Sequence, residues 1–352
     1  MKGNEAIAEA ALRAGCRFFA GYPITPQNEI PEYMSKKIHE VGGTFVQGES
    51  EIASVNMIYG AAATGTRAMT SSSSPGISLK AEGISYLAAA KLPSVIVSVM
   101  RGGPGLGSIQ PAQQDYLQAT KAMGNGGFKL IVLAPATIQE SVDLTYKAFE
   151  LADRDRNPVV VLTDGVTGSM MEPVVLPSMI QVDKADKKWA VSGAMGRDKN
   201  FIAGTAGIHP EQQEEDNIKS KELYERWQRE DVRVEEFMTG DADIVIAAYG
   251  ITARIAKSAI KQLREQGIKI GLIRPITVSP FPYENFKNLD PNKVKKVIVV
   301  EMSIPSQMID DVRLGLEGNI PTETFGRSGG VVISDDEIVD YVKRSLDKGG
   351  DK

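Results

Sequence analysis

Short β-rich runs, several of them apolar on both faces, recur along the first half of the chain, and a helical pattern follows each one. They are "RFFAG" (17–21), "GTFVQ" (43–47), "RAMTSSS" (67–73), "PSVIVSVMR" (93–101), "KLIVLAP" (129–135) and "PVVVLTDG" (158–165). Helical patterns lie between them, at 4–14, 28–40, 51–63, 77–89, 111–122 and 137–152. A run such as Val95-Ile96-Val97 has no polar face to turn toward water, as in a parallel strand covered by helices on both sides. The alternation therefore predicts an α/β fold built on a doubly wound, mainly parallel sheet.

At 352 residues the chain is long enough for two domains. Its composition shifts near residue 185. From "KADKKW" to "REDVRVEEF" it is rich in Lys, Glu, Gln and Asp. The predicted organisation is a first domain over 1–184, a polar connector over 185–240 and a smaller α/β domain over 241–352. The connector is expected to hold one helix, "SKELYERWQRE", and no clear strand. The second domain is read from "DADIVIAAYG", "IKIGLIRP", "KVKKVIVVEM" and the closing helix "SDDEIVDYVKRSL".

Charge and rare residues narrow the chemistry. The net charge of −5 gives no support to nucleic-acid or anionic-membrane binding. No uninterrupted apolar run is long enough to span a bilayer. The start, "MKGNEAIAEAALRAG", carries glutamates inside its apolar pattern and reads as an amphipathic helix, not a signal peptide, so a cytoplasmic location is expected. Cys16 is the only cysteine, and His39 and His209 are the only histidines. An iron–sulfur cluster held by this chain alone is excluded, since such clusters take several thiolates. A histidine metal site or a Ser-His-Asp triad is disfavoured. Any chemistry falls to carboxylates, arginine, hydroxyls or a bound cofactor.

In open α/β sheets ligands bind outside the carboxyl ends of the strands. Four consecutive strand ends carry unusual loops: "GYPITP", "QGESE", "SSSSPG" and "RGGPGLG". Each has a plain reading. Two prolines stiffen the first loop; this suits simple entry into a helix, or a rigid mount for Thr25. In the second, Ser50 is a good N-cap and Glu49 and Glu51 suit the positive end of a helix dipole; alternatively one glutamate points into a cleft with a raised pKa and shares a proton with a ligand nitrogen. The four serines could cap a helix or line a polar pocket. "RGGPGLG" does not fit a dinucleotide fingerprint, because its third glycine comes one residue early and Pro104 sits inside, and no Walker-type motif occurs. It could be a bare connector, or a close backbone approach beside Arg101, whose guanidinium can fork a carboxylate.

Taken in order, "GYPITPQNEI", "QGESEIASVNMIYGAAATG", "TSSSSPGISLKAEGISY", "RGGPGLGSIQPAQQDY" and "PVVVLTDG" closely resemble the α subunit of the 2-oxoacid:ferredoxin oxidoreductases. The resemblance runs from residue 3 to about 175 and returns at "AAYGITAR", "LIRPITVSPFP" and "VEMS". It implies a domain that binds the aminopyrimidine ring of thiamine diphosphate, followed by a transketolase C-terminal-like domain. It implies oxidative decarboxylation of a 2-oxoacid with coenzyme A, giving an acyl-CoA and reduced ferredoxin. Glu51 matches the family glutamate that bonds the pyrimidine nitrogen and promotes the imino form. Thr25 and Arg101 match residues that face the substrate's carboxylate and carbonyl. Tyr22, Pro23, Ile24, Ser73 and Ser74 fall on the cofactor-binding side of the same loops. On this reading the double-proline turn is a clamp that presents Thr25.

The absences agree with that resemblance. There is no Gly-Asp-Gly, so the Mg²⁺–diphosphate motif of thiamine enzymes is missing. The resemblance then implies a β subunit that supplies Mg²⁺ and diphosphate binding, a γ subunit, and a ferredoxin-like subunit that holds the iron–sulfur clusters. One departure stands out: many relatives carry Gly-His-Gly-Asp where this chain has Gly124-Asn125-Gly126-Gly127. The serine and "GPGLGSIQPAQQDY" loops look most like the 2-oxoisovalerate type; 2-oxoglutarate and pyruvate are the alternative substrates. Two other readings compete with the whole: a subunit of a non-redox thiamine enzyme of the lyase or transketolase kind, and a non-catalytic binding module on an α/β fold. With one cysteine and no Mg²⁺–diphosphate motif, the purified single chain is expected to contain no iron and to bind thiamine diphosphate weakly. Metal analysis and a cofactor titration with Mg²⁺ check this; stoichiometric iron, or tight binding by this chain alone, would contradict it.

Overall fold

The computed structural model describes residues 1–121, 123–181, 187–193, 196 and 209–347. In chain order the first lobe runs α1 (Gly3–Arg13), β1 (Phe18–Gly21), α2 (Glu29–Lys37), β2 (Thr44–Gln47), α3 (Glu51–Ala63), β3 (Ala68–Ser72), α4 (Ser74–Ala89), β4 (Val95–Gly102), β5 (Ser108–Pro111), α5 (Tyr116–Thr120), β6 (Ile131–Leu133), α6 (Ile138–Asp155), β7 (Val159–Asp164) and α7 (Gly165–Ser169). There follow α8 (Pro210–Glu230), β8 (Val234–Phe237), β9 (Ile244–Ala247), α9 (Gly250–Glu265), β10 (Ile270–Pro275), β11 (Thr277–Ser279), α10 (Tyr283–Lys287), β12 (Lys296–Glu301), α11 (Ile309–Leu316), β13 (Thr322–Gly326) and α12 (Asp335–Asp347).

Two sheets organise these elements. The first has the order β11-β6-β7-β4-β3-β1-β2, with β5 paired to β4. Its pairs are parallel except those made by β11 and β5. Every residue of β4 and β7 is buried, which is why those runs have no polar face. Each fully buried Val or Ile contributes about 1.5–3 kcal/mol, so the centre of this sheet is the most strongly held part of the lobe. Local signals set the helix starts: the Ser50 hydroxyl accepts from Ala53 N–H at 3.1 Å, and Thr137 accepts from Glu140 N–H at 3.1 Å. The second sheet has the order β13-β12-β9-β10-β8, with β8 antiparallel.

Three expectations need correction. The segment 111–122 is not one helix: β5 ends at Pro111 and α5 covers only Tyr116–Thr120, because the backbone N–H groups of Gln113 and Leu117 are drawn to acceptors in the second half of the chain. The connector is not strand-free, since Val234–Phe237 edges the second sheet; none of its four residues is fully buried, and two of them are glutamates, as suits an edge strand whose signal is hidden by charge. The helix expected from Ser220 begins at Pro210. Connector residues 185–186, 194–195 and 197–208 lie outside the described residues.

The lobes are tied through buried polar groups. Gln113 N–H donates to Met302 C=O at 2.9 Å, and its side chain meets Tyr249 C=O, Thr252 Oγ1 and Met302 N–H. Asp311 accepts from Tyr116, Tyr283 and Lys121. Arg274, 2% exposed, joins Glu140 of the first lobe to Glu235 of the second. β11 leaves the second lobe to close the edge of the first sheet beside β6.

Burial pushes the carboxyls of Asp115 and Asp164 up to about 6 and that of Glu301 up to about 7. A carboxyl raised in the folded state stabilises the fold fully below its unfolded pKa and loses that contribution as pH rises through the raised value. Asp155 and Glu235 act oppositely. Their burial is outweighed by Arg154, Arg226 and Trp227 in the one case and by Lys257 and Arg274 in the other, so their contribution fades at low pH. Thermal stability is therefore expected to peak in mild acid, with Tm at about pH 5.5 a few degrees above Tm at about pH 8. Melting curves across that range check it; a higher Tm at pH 8 would contradict it.

Candidate active site at the carboxyl ends of the first sheet

β1, β3 and β4 end side by side, and their loops meet there. The β1 loop holds Tyr22, Pro23, Ile24 and Thr25. Tyr22, Pro23 and Thr25 are exposed, and Ile24 is half-buried. The turn is braced from several directions. Gln27, fully buried, donates its backbone N–H to Ile24 C=O at 3.1 Å and its side chain to Tyr22 C=O at 3.2 Å, and Ser71 of β3 donates to its Oε1. Asn4 donates to Pro26 C=O at 2.9 Å. The rigidity read from two prolines thus has tertiary support. The Thr25 hydroxyl makes no hydrogen bond among the described residues.

Arg101 lies at the end of β4 and is 4% exposed. Its Nη1 donates to Thr25 C=O and its Nη2 to Leu106 C=O, both at 2.9 Å. Its Nε is buried without a partner. A guanidinium has five N–H groups, so the Nε edge stays open to a further acceptor. The loop that returns to Leu106 needs Gly105 and Gly107 at φ +68° and +58°; a Cβ at Gly107 would stand 1.8 Å from Gly102 O.

The four serines divide their work. Ser71 holds Gln27. Ser74 donates to Asp115 Oδ2 at 2.5 Å and accepts from Arg101 N–H at 3.0 Å. Ser72 and Ser73 have buried hydroxyls with no partner among the described residues. Of the two serines singled out as cofactor-binding, Ser73 is free to bond a ligand and Ser74 is already engaged. Ser72 was missed.

Glu51 and Glu49 part company in the fold. Glu49 is exposed, whereas Glu51 opens α3 at 5% exposure. The Glu51 carboxylate receives no hydrogen bond from the described residues and lies against Gly76, where a Cβ would stand 2.7 Å from Glu51 Oε1 and 2.1 Å from Ser72 Oγ. Beneath it Lys80, fully buried, donates to Thr70 Oγ1 at 3.1 Å and reaches Glu51 C=O at 3.5 Å. Burial lowers the Lys80 ammonium to about 8 against the pull of Glu51. The nearest sequence signal for Lys80 was a lysine within the apolar pattern "ISLKAEGIS". Asn125 is elsewhere: it is exposed and bonds Ser85, three turns along α4, about 16 Å from the end that bears Ser74.

An unbonded buried carboxylate, two orphaned hydroxyls and a glycine cradle lie together at one strand-end cluster. They suit a flat heterocycle with ring nitrogens, and the aminopyrimidine of thiamine diphosphate has that donor and acceptor pattern. Among the described residues no group of three His, Cys, Asp or Glu side chains could hold a metal ion, and no helix is long and apolar enough to cross a membrane.

Residues 9–236 match the family described as pyruvate flavodoxin/ferredoxin oxidoreductase, thiamine diphosphate-binding, and residues 242–338 match pyruvate:ferredoxin oxidoreductase core domain II. The chain belongs to this family. It is 47% identical over 351 residues to the ketoisovalerate oxidoreductase subunit VorB of Methanothermobacter thermautotrophicus, covering 100% of this chain and 98% of the relative. It is 36% identical over 334 residues to the 2-oxoglutarate synthase subunit KorA of Methanocaldococcus jannaschii, covering 86% and 88%. Among solved structures, the 2-oxoglutarate:ferredoxin oxidoreductase from Magnetococcus marinus, with 2-oxoglutarate, coenzyme A and succinyl-CoA bound, superposes with a TM-score of 0.80 at 24% identity over 98% of this chain and 65% of that one. That likeness shows the shared fold. The family membership makes this chain a subunit of an oxidoreductase that acts on 2-oxoacids, with a thiamine diphosphate-binding region. It sets aside the non-redox thiamine enzyme and the non-catalytic module.

Gly76→Ala is expected to separate stability from activity. Alanine favours a helix over glycine by about 1 kcal/mol, but here the new methyl must displace Ser72 Oγ and the Glu51 carboxylate. A misplacement of this kind can cost about a hundredfold in rate. Turnover of the assembled enzyme should fall steeply while Tm changes little, and wild-type turnover would contradict the placement of Glu51.

Proposed function

We propose that this chain is the α subunit of a thiamine diphosphate-dependent 2-oxoacid:ferredoxin oxidoreductase that acts on 2-oxoisovalerate with coenzyme A. The observation that carries this is the buried Glu51 carboxylate, which receives no hydrogen bond from the described residues and lies over Gly76 together with Ser72 Oγ. The substrate follows the 47% identical relative named for ketoisovalerate over the 36% identical one named for 2-oxoglutarate.

In this reading the lobe of residues 1–184 binds the aminopyrimidine ring and residues 241–352 form the transketolase C-terminal-like domain. Glu51, Ser72 and Ser73 hold the ring, with Tyr22, Pro23 and Ile24 along the exposed side. Thiamine diphosphate, held at its ring by these residues, would supply the nucleophilic and electron-accepting chemistry that 2-oxoacid decarboxylation needs. Glu51 holds or yields a proton at the ring nitrogen, Arg101 receives the substrate carboxylate on its Nε edge, and the Thr25 hydroxyl faces the carbonyl. A β subunit supplies Mg²⁺ and the diphosphate site, and a γ subunit and a ferredoxin-like iron–sulfur subunit complete a cytoplasmic complex that passes electrons to ferredoxin. That division accounts for a site built here on one side only.

Glu51→Gln in the assembled complex is expected to lose on the order of a hundredfold in turnover or more, as for removal of a general acid–base group, with assembly intact. Glu49→Gln should be mild, since an exposed charge near a helix start contributes at most about 1 kcal/mol to stability. Reduction of ferredoxin with 2-oxoisovalerate, 2-oxoglutarate and pyruvate in turn measures both the residue and the substrate. Equal losses in the two variants would overturn the assignment of Glu51, and a preference for 2-oxoglutarate or pyruvate would overturn the substrate.

A further inference from the structure

We propose that Gln27 is a positioning residue for the reaction: together with Ser71 it refers the Thr25 turn to the end of β3, and so fixes the reach between the groups that meet the substrate and the groups that hold the ring. This rests on the reading of Thr25, Arg101 and Glu51 given above.

Gln27 is fully buried and follows the second proline of the turn. Its donors face back along the chain. The backbone N–H bonds Ile24 C=O at 3.1 Å, and the side-chain Nε2 bonds Tyr22 C=O at 3.2 Å. One residue thus holds the carbonyls on both sides of Pro23. The next fixed point is the Thr25 carbonyl, taken by Arg101 Nη1 at 2.9 Å. The Thr25 hydroxyl, which makes no hydrogen bond among the described residues, is carried on this fixed backbone.

The orientation of the Gln27 amide is forced. Tyr22 C=O can only accept, so the amide nitrogen must face it, and the amide oxygen turns to the other side, where the Ser71 hydroxyl donates to it. An apolar side chain of the same length could fill this space. It would leave the Ser71 hydroxyl and the Tyr22 carbonyl without these partners, and an unmet polar group in the interior is costly. The amide is there to bond in two directions.

β3 carries the link onward. Successive residues of a strand face opposite sides of the sheet. Ser71 turns to Gln27, whereas Ser72 turns the other way, where its Oγ lies over Gly76 together with Glu51 Oε1. Two adjacent residues of one fully buried strand thus serve both halves of the site. If Gln27 lets go, the turn shifts against the ring groups, which keep their own supports. Arg101 still offers its Nε edge to a carboxylate, so binding is spared, but the reacting carbonyl meets a misplaced hydroxyl.

The test uses the assembled complex with the 2-oxoacid that wild type oxidises fastest, and reads kcat per bound thiamine diphosphate, KM, cofactor affinity and Tm. Gln27→Met keeps the length and removes the amide. It should lower kcat about 30- to 100-fold, the scale of a small misplacement at a reacting centre, with KM and cofactor affinity within about threefold of wild type. A merely structural role would show in Tm and in the fraction assembled, not in this split. Ser71→Ala should lower kcat about 3- to 10-fold, and it stands in should Gln27→Met fail to assemble. In the Gln27→Met background it should cost nothing further, because the link is already cut. Thr25→Val, which removes the hydroxyl and keeps the shape, runs in parallel. If it keeps wild-type kcat, the reading of Thr25 fails, whatever Gln27 does. If it lowers kcat while Gln27→Met and Ser71→Ala keep wild-type kcat, the proposal for Gln27 is overturned. It is overturned equally if KM and cofactor affinity worsen in step with kcat, or if the losses of the Gln27 and Ser71 variants simply multiply.

Discussion

A guanidinium buried at the end of β4 sets the terms for the loops around it. Arg101 draws in the Thr25 carbonyl from the β1 loop and the Leu106 carbonyl from its own returning loop. It also fixes Ser74 through its backbone N–H. Three loops are thus referred to one residue, two through its side chain and one through its backbone, and a cation in low dielectric tolerates little displacement of its acceptors. The double-proline turn, the paired positive-φ glycines and the serine run are separate local devices that serve this single constraint.

The second lobe takes part in the same arrangement. Gln113, Tyr116 and Leu117 are each bonded across the seam. The segment between β5 and α5 is therefore shaped by partners far away in sequence. Arg274 and β11 secure the opposite side of the first sheet. The two lobes act as one support for the strand ends, and the carboxyls buried along the seam make that support sensitive to pH.

Much of the fold could be read along the chain. The central strands of the first sheet were legible because runs such as Val95–Val97 are apolar on both faces and need no partner to announce their burial. The caps at Ser50 and Thr137 are local chemistry. Elements held by distant partners were illegible. β8 is a charged edge strand, β11 is three residues long, and α5 is short because Gln113 and Leu117 are bonded elsewhere.

The candidate site divides in the same way. Motif order by itself pointed to the family and to Glu51, Thr25 and Arg101 as candidates, since these depend on residue types in loops at strand ends. Only the tertiary structure decided which of the two glutamates is buried, which serine hydroxyls lack a partner among the described residues, and that Gln27, Lys80 and Asp115 are buried and bonded beside the candidate residues. The physical reason is range. Strand and cap signals act within a few residues, whereas hydrogen-bond satisfaction at Arg101 is set by groups brought together from Thr25, Ser74 and Leu106, and no local pattern records whether a hydroxyl or carboxylate has found its partner.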